Sequence, residues 1–294
     1  MRVAVIINPV AGRRTTAEVA RRRAELAHEQ LSNFGADPDV LVTTRAGHAR
    51  ELAHGAIARG AEIVFAWGGD GTVNEVGCAL AFGEAALGIV PGGSGNGLAS
   101  ALGIPRDPAA ALTHGLSAGI RRIDVCEIGG RLFFNTAGVG FDAHVADCFS
   151  RDGRARGLRR YAAIVVRELF RYQAPSRRVT IGDRSCTDRT FLLVLANGPQ
   201  WGNGAMVAPA ARLDDGLLDI VTIRARSPFK TLLQIPRLFN GTIAGVRGVT
   251  TARAADLRIS GDPPLLFHVD GEPVHSTETE LRVRVHARAL RVRA

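Results

Sequence analysis

Two glycine-rich segments set the strongest limits on what this chain can fold into. The first is Gly68-Gly69-Asp70-Gly71-Thr72-Val73-Asn74-Glu75 and the second is Pro91-Gly92-Gly93-Ser94-Gly95-Asn96-Gly97. Each follows an apolar run that reads as a buried strand, at 63–66 and 87–90, and each leads into a stretch able to start a helix. A strand that ends in glycines and opens a helix presents backbone N–H groups at a helix N-terminus, and that geometry binds phosphate. Two such loops on neighbouring strands would line one crevice at the carboxyl edge of a sheet. The glycines allow positive φ and close approach of backbone to ligand. Asp70 sets an anion among the phosphate donors, which asks for a bridging Mg²⁺. Thr72 and Ser94 offer hydroxyls to phosphate oxygens. A pair of tight βα turns in an ordinary α/β domain is the plain alternative, but such turns do not need this density of Gly with Asp.

The first half alternates strands and helices. Strands are expected at 2–7, 39–43, 62–66, 87–90 and 122–125, with helices at 16–30, 48–59 and 107–117, so a mostly parallel sheet with right-handed crossovers follows. Near Val125 the pattern changes. A hairpin is expected around Gly129-Gly130, then short strands at 177–181, 190–196, 217–223, 257–260, 265–269 and 281–285, which suits an antiparallel second domain. Two helices, 158–172 and 228–240, interrupt these strands.

The chain has 294 residues, 46% of them hydrophobic, enough for one large core or two modest ones. No run reaches the roughly 18 apolar residues of a membrane span, and the N-terminus reads as a buried strand rather than a signal peptide. Cys78, Cys126, Cys148 and Cys186 lack CxxC spacing, which fits thiols in a reducing cytoplasm. The net charge of +9, nearly all from arginine, suits anionic partners, though an arginine- and alanine-rich composition also follows from a GC-rich genome. With only 5% aromatic residues and no basic–aromatic interleaving, nucleic acid is a poor fit.

Gly68 to Glu75 resembles the GGDGTxNE signature of the diacylglycerol kinase catalytic-domain superfamily, which includes bacterial lipid kinases, sphingosine kinases and ceramide kinases. Pro91 to Ala99 resembles its second signature. The segments Ile7 to Gly12 and Thr43 to Ala49 resemble its NPxSG and GHA loops. Phe134 to Asp142, Asp214-Asp215-Gly216 and Val269 to Pro273 match later motifs in order, so the resemblance spans nearly the whole chain. It implies a parallel βα nucleotide-binding domain (NAD kinase- and phosphofructokinase-like) over 1–125 with a returning segment 286–294, an antiparallel β-sandwich-like lipid-substrate domain over 126–285, and an active site in the cleft between. It implies ATP and Mg²⁺ as cofactors and phosphoryl transfer to a lipid hydroxyl.

By position, ATP contacts fall on Asn8, Arg13 and Thr44, on Gly68, Gly69, Gly71, Thr72, Asn74 and Glu75, and on Gly93, Ser94, Gly95 and Asn96. Arg14 shares the basic position with Arg13. Catalytic roles fall on Asp70 and on Glu272, the general base. Asp270 either supports that base or shapes its turn. A structural Mg²⁺ falls on Asp215 with the carbonyls of Arg212 and Leu217, against a plain Asp-Gly hairpin. Asp124 matches an acidic network or caps a strand. Gly97 stands where many bacterial diacylglycerol kinases carry aspartate, which puts diacylglycerol as the substrate in question. The basic amphipathic stretches 158–171 and 229–239 either hold acyl chains, rest on an anionic membrane at its inner face, or pack on the β domain. Lone histidines such as His48, His54 and His268 read as structural, while His144 near Asp142 stays open. A homodimer, a binding protein on the same scaffold and a kinase of a soluble acceptor such as NAD remain alternatives.

Overall fold

A computed structural model describes residues 1–12, 17–151, 158–202, 204–262 and 264–294. The chain divides into two compact units, Met1–Val125 with Arg288–Ala294, and Cys126–Ala287.

The first unit runs β1 (Arg2–Ile7), α1 (Ala17–Ser32), β2 (Asp37–Val42), α2 (His48–Ala58), β3 (Ile63–Gly68), α3 (Asp70–Leu80), β4 (Ala86–Pro91), α4 (Gly97–Ala101) and α5 (Pro108–Ser117), ending in the first part of β5 (Ile120–Ile128). Strands β1, β3 and β4 are nearly continuous apolar runs because both faces are covered: every residue of β3 is buried, and all but the last of β4. The unit's four leading strands pair in parallel, β2 beside β1, β1 beside β3, and β3 beside β4. The chain's final segment returns to this sheet with Val292 opposite Leu87. Helix α1 packs with α5, and α2 with α3. The chain goes from β1 outward to β2, then back past β1 to β3. The carboxyl ends of β1 and β3 therefore flank the point where strand order reverses, the place where open α/β sheets form a ligand crevice. Asn8 follows β1 there, and the first glycine segment follows β3.

The second unit holds the rest of β5, β6 (Arg131–Phe133), β7 (Thr136–Gly140), α6 (Phe141–Arg151), α7 (Leu158–Leu169), β8 (Ser176–Ile181), β9 (Arg184–Ala196), β10 (Leu218–Arg224), α8 (Pro228–Leu232), α9 (Ile235–Phe239), β11 (Val249–Ala254), β12 (Asp256–Ser260), β13 (Leu265–Val269), β14 (Glu272–Ser276) and most of β15 (Glu280–Arg293). Its strands pair in antiparallel ladders, among them β7–β9, β8–β9, β10–β11, β12–β15 and β13–β14. The long β9 belongs to three of them: its first half pairs with β8, its second half with β7 and β10. That second half is apolar on both faces. Leu193 and Leu195 enter a core with Phe133, Phe267, Ile259 and Val283. Leu192 and Val194 enter another with Phe141, Val145 and Ile164 of the covering helices.

The helix expected over 228–240 is two short ones. Pro236 lacks an N–H and its ring crowds the carbonyl of Leu232, so the helix stops and restarts. The last strand runs to Arg293 rather than Val285, and α6, β7, β11 and β14 are additional elements. The returning segment begins at Arg288 rather than residue 286. The expected start of the first helix at Thr16, and Arg13 and Arg14, lie outside the described residues.

Candidate active site

In the first unit the two glycine segments are knitted together. Gly92 N donates to Gly68 O at 2.7 Å, extending the β3–β4 ladder into the loops. Asp70 then grips the second loop. Its Oδ2 accepts from Asn96 N at 2.9 Å and its Oδ1 from Gly97 N at 2.7 Å. Asn96 sits at φ +53° and closes its own loop, accepting from Gly93 N and donating to Gly93 O. The glycine density has a steric cause. A Cβ on Gly93 would lie 2.6 Å from the Gly69 Cα, and one on Gly95 would lie 2.7 Å from Asp70 Oδ2.

Several expected ligand residues have other partners. Thr72 is 5% exposed, and its hydroxyl accepts from Asn8 Nδ2 at 2.8 Å, so it braces the loop after β1 instead of offering an open hydroxyl. Glu75 accepts from Gly47 N at 2.8 Å and Ala49 N at 3.0 Å, placing a carboxylate on the N-terminus of α2, where anions are stabilised. Asn74 accepts from the Cys78 thiol. Thr44 is exposed and its hydroxyl meets His48 Nδ1 at 3.1 Å. Ser94 is exposed at the tip of its loop. Asp124, fully buried, accepts from Arg288 N at 2.7 Å and so holds the returning segment.

These bonds leave a clear electrostatic result. Asp70 fills the N–H groups at the start of α4, Glu75 those of α2, and Asp107 caps α5 through Ala110 N. At α3 the N-cap is Gly69, with no side-chain cap. The N–H groups of that first turn lie at the carboxyl edge of this sheet, the end of a helix where an anion is stabilised. Beside the loops, Val19, Leu26, Trp67, Pro91 and Pro108 line a hollow of about 270 Å³. Arg23 stands over the Trp67 ring at 5.8 Å and donates to the carbonyls of Asn8 and Ala11; burial lowers its pKa.

In the second unit Glu272 is exposed at the first position of β14. The turn before it has Asp270 at φ +47° and Gly271 at φ +90°, the double positive φ of a tight hairpin. Asp270 does not face outward. Its carboxylate accepts from the backbone N–H groups of Phe134, Asn135 and Thr136, each at 3.0 Å. It therefore shapes the turn, the second of the two roles left open for it. Beneath it lies a pair the sequence reading did not assemble. His268 Nδ1 accepts from Gly271 N at 3.3 Å, so Nε2 carries the proton and donates to Asp142 Oδ2 at 3.1 Å. Both side chains are buried, and Gly138 is the residue that makes room, since a Cβ there would meet Asp142 at 1.7 Å.

Chain similarity now decides the family. Residues 2–128 match the diacylglycerol kinase catalytic domain, and residues 135–294 match the YegS C-terminal NAD kinase beta sandwich-like domain. The protein named Probable lipid kinase YegS-like of Pseudomonas aeruginosa strain PAO1 is 36% identical over 269 residues, covering 88% of this chain and 85% of that one. The chain belongs to the YegS-like lipid kinase and diacylglycerol kinase family. It is thus an enzyme of the phosphotransferase class. Diacylglycerol kinase of Mycobacterium tuberculosis H37Rv is 31% identical over 278 residues, covering 92% of this chain and 88% of that one. A solved structure described as a diacylglycerol kinase from Bacillus anthracis str. Sterne shares the fold, with TM-score 0.72 at 19% identity over 99% of this chain and 96% of that one.

The expected cation ligand Asp215 is already paired. Its Oδ2 contacts the Arg253 guanidinium, and its Oδ1 accepts from Leu217 N at 3.1 Å. Arg253 also approaches Asp219 at 3.5 Å, and Arg212 turns its side chain to Asp214 at 3.7 Å. Burial pushes the Asp219 carboxyl up, and nearby Asp215 adds to the shift. In this member of the kinase family a guanidinium stands where the resemblance implied Mg²⁺. A Mg²⁺ ion at Asp215 would compete with Arg253 for the carboxylate.

Proposed function

We propose that this chain transfers the γ-phosphate of ATP to a hydroxyl of a lipid, with Glu272 as general base. The observation that carries the reading is the glycine-capped start of α3 between two interlocked glycine loops, at the strand-order reversal of a parallel sheet. A polyphosphate placed there would take its N–H donors from the first turn of α3. The neighbouring apolar hollow at Trp67 and Pro91 suits a flat base. The magnesium that travels with ATP supplies charge neutralisation for the transferred group. Asp70 suits a partner for it as a carboxylate held between the two loops by the N–H groups of Asn96 and Gly97.

Glu272 suits the base because its hairpin is fixed from two sides, by Asp270 on three backbone N–H groups and by His268 on Gly271. A positioned carboxylate accepts the proton of an acceptor hydroxyl as the oxygen attacks. The lipid acceptor is supported by an apolar surface on the second unit. Phe229 is 69% exposed and Leu233 75%, and Phe170 and Phe239 are also exposed. Phe170 meets Phe229 edge-on at 5.4 Å, which joins the residue after α7 to α8. Lys230 and Arg237 sit among these residues on α8 and α9. Apolar side chains with interleaved cations suit the surface of an anionic membrane. Among the described residues no helix is long and apolar enough to cross one.

The test is transfer of labelled γ-phosphate from ATP·Mg²⁺ to diacylglycerol, monoacylglycerol, sphingosine, ceramide and phosphatidylglycerol in mixed micelles, with NAD as a soluble control. Glu272→Gln should slow transfer to the preferred lipid by about 10²–10⁴-fold with ATP binding retained. Label on NAD alone, or ATP binding with no labelled product, would overturn the reading.

A further inference from the structure

Three donors of different chemistry meet between two helices of the second unit. His144 and Cys148 lie one turn apart on α6, and Glu168 reaches them from α7. His144 Nε2 is 2.9 Å from Glu168 Oε2 and 3.7 Å from Cys148 Sγ. All three donor atoms lie within 4.8 Å of one another. The spacing of four on α6 is what puts an imidazole and a thiol on one helix face.

The surroundings are arranged around these atoms. Glu168 is 8% exposed, and its second oxygen accepts from Arg167 Nε at 2.7 Å, which fixes the carboxylate with Oε2 toward the other two donors. Such outer hydrogen bonds orient metal-ligating carboxylates. The Tyr172 ring lies against the imidazole, with centroids 5.2 Å apart, and shields one side. Zinc bond lengths and a tetrahedral angle place neighbouring N, O and S donors roughly 3.3–3.6 Å apart. The observed 2.9 and 3.7 Å bracket that range, so small rotamer adjustments would admit an ion.

We propose that His144, Cys148 and Glu168 bind a divalent, borderline-soft metal ion of the zinc class. One nitrogen, one sulfur and one oxygen leave the fourth tetrahedral position to water. The bound ion would clip α6 to α7. An imidazole–carboxylate ion pair alone would account for His144 and Glu168, but it leaves the thiol beside them without a task. The proposal is independent of the kinase chemistry, since it uses neither Glu272 nor the glycine loops.

The test is optical titration of the full chain, freed of metal and reduced, with Co²⁺ as the probe. A cobalt–thiolate bond produces an intense near-ultraviolet charge-transfer band. We expect that band to saturate at one equivalent, to vanish in Cys148→Ser, and to be displaced by one equivalent of Zn²⁺. His144→Ala and Glu168→Gln should each weaken binding at least tenfold. Cys148→Ser changes one atom and keeps the protein folded, and Cys78→Ser serves as the control thiol. No band at stoichiometric cobalt, or a band that survives in Cys148→Ser, would overturn the site. So would unchanged affinity in Glu168→Gln.

Discussion

Removing the Asp270 carboxylate is the sharpest test of how the Glu272 hairpin is held. The carboxylate accepts three backbone N–H groups from Phe134, Asn135 and Thr136, and those three residues are almost fully buried. A hydrogen bond to a charged group is worth about 1.5–3 kcal/mol net, which sets an upper bound near 9 for three. Asp270 is itself half-buried, and the three bonds share one acceptor, so the gain is well below that sum. For Asp270→Ala we expect a loss of about 3–5 kcal/mol. In Asp270→Asn the amide oxygen at the Oδ1 position keeps Asn135 and Thr136, while the amide nitrogen faces Phe134 N, so about 1–2 kcal/mol is expected. The chain has two tryptophans, Trp67 in the first unit and Trp201 in the second. In a Trp67→Phe background, urea unfolding followed by fluorescence reports the second unit alone. The loss should reach Trp201, because Asn135 also donates to Gln200 O and accepts from Asn197 N and Gly198 N. A loss below about 1 kcal/mol for Asp270→Ala, or equal losses for the two variants, would refute the reasoning.

Gly95→Ala brings a Cβ to 2.7 Å from Asp70 Oδ2, so ATP affinity measured by calorimetry should fall at least tenfold, at a stability cost of about 1–3 kcal/mol; unchanged affinity would count against the interlocked loops. Arg253→Ala leaves Asp215 and Asp219 together without a cation and should destabilise the second unit by about 1–3 kcal/mol near neutral pH. Burial holds the Asp219 carboxyl above its ordinary value, so the folded state takes up a proton more readily than the unfolded chain, and the loss should shrink as pH falls. Chelation should leave the melting temperature of the unaltered chain where it is, whereas a large drop would restore a cation at Asp215. The double change Phe229→Ser and Leu233→Ser should cut co-sedimentation with phosphatidylglycerol vesicles at least tenfold, since each buried apolar side chain is worth about 1.5–3 kcal/mol; undiminished binding would remove this surface from the lipid contact.

The strand–glycine–helix units were legible because a parallel strand covered on both faces needs an unbroken apolar run, and 63–66 and 87–90 supply one. Strand β9 was legible only in its apolar second half. Its first half, Arg184 to Arg189, is mostly exposed and owes its conformation to pairing with β8, a contact that no local pattern encodes. The break between α8 and α9 was hidden by apolar spacing that continues through Phe229, Leu232, Leu233, Ile235 and Leu238; Pro236 was the overriding signal. The His268–Asp142 pair joins residues 126 apart, and the clue was sterically negative: a glycine, Gly138, on a strand. The tasks of Glu75 and Thr72 were illegible for a related reason. Their partners at Gly47, Ala49 and Asn8 are set by helix packing and strand order, not by spacing.

Four acidic residues share one use, and it constrains how a nucleotide could bind. Asp70, Glu75, Asp124 and Asp270 each accept backbone N–H groups from segments far away in the sequence. In the first unit this sets carboxylates on two helix N-termini. The starts of α4 and α2 carry carboxylates, and a phosphate brought there would have to displace a charge-assisted bond. The start of α3 carries none from its cap. On the proposed reading the second glycine loop would act on a phosphate through shape: it lets Gly93 lie against Gly69 and bonds Asp70, while donors would come from the first loop. Asp70→Asn separates these tasks. The amide keeps one acceptor for the second loop and faces the other N–H with a donor, so the loop should loosen while the start of α3 stays intact. Inorganic triphosphate should then still bind, protected from weakening by the loss of a negative charge, while transfer from ATP falls. Equal loss of triphosphate binding and transfer would place the phosphate donors on the second loop instead.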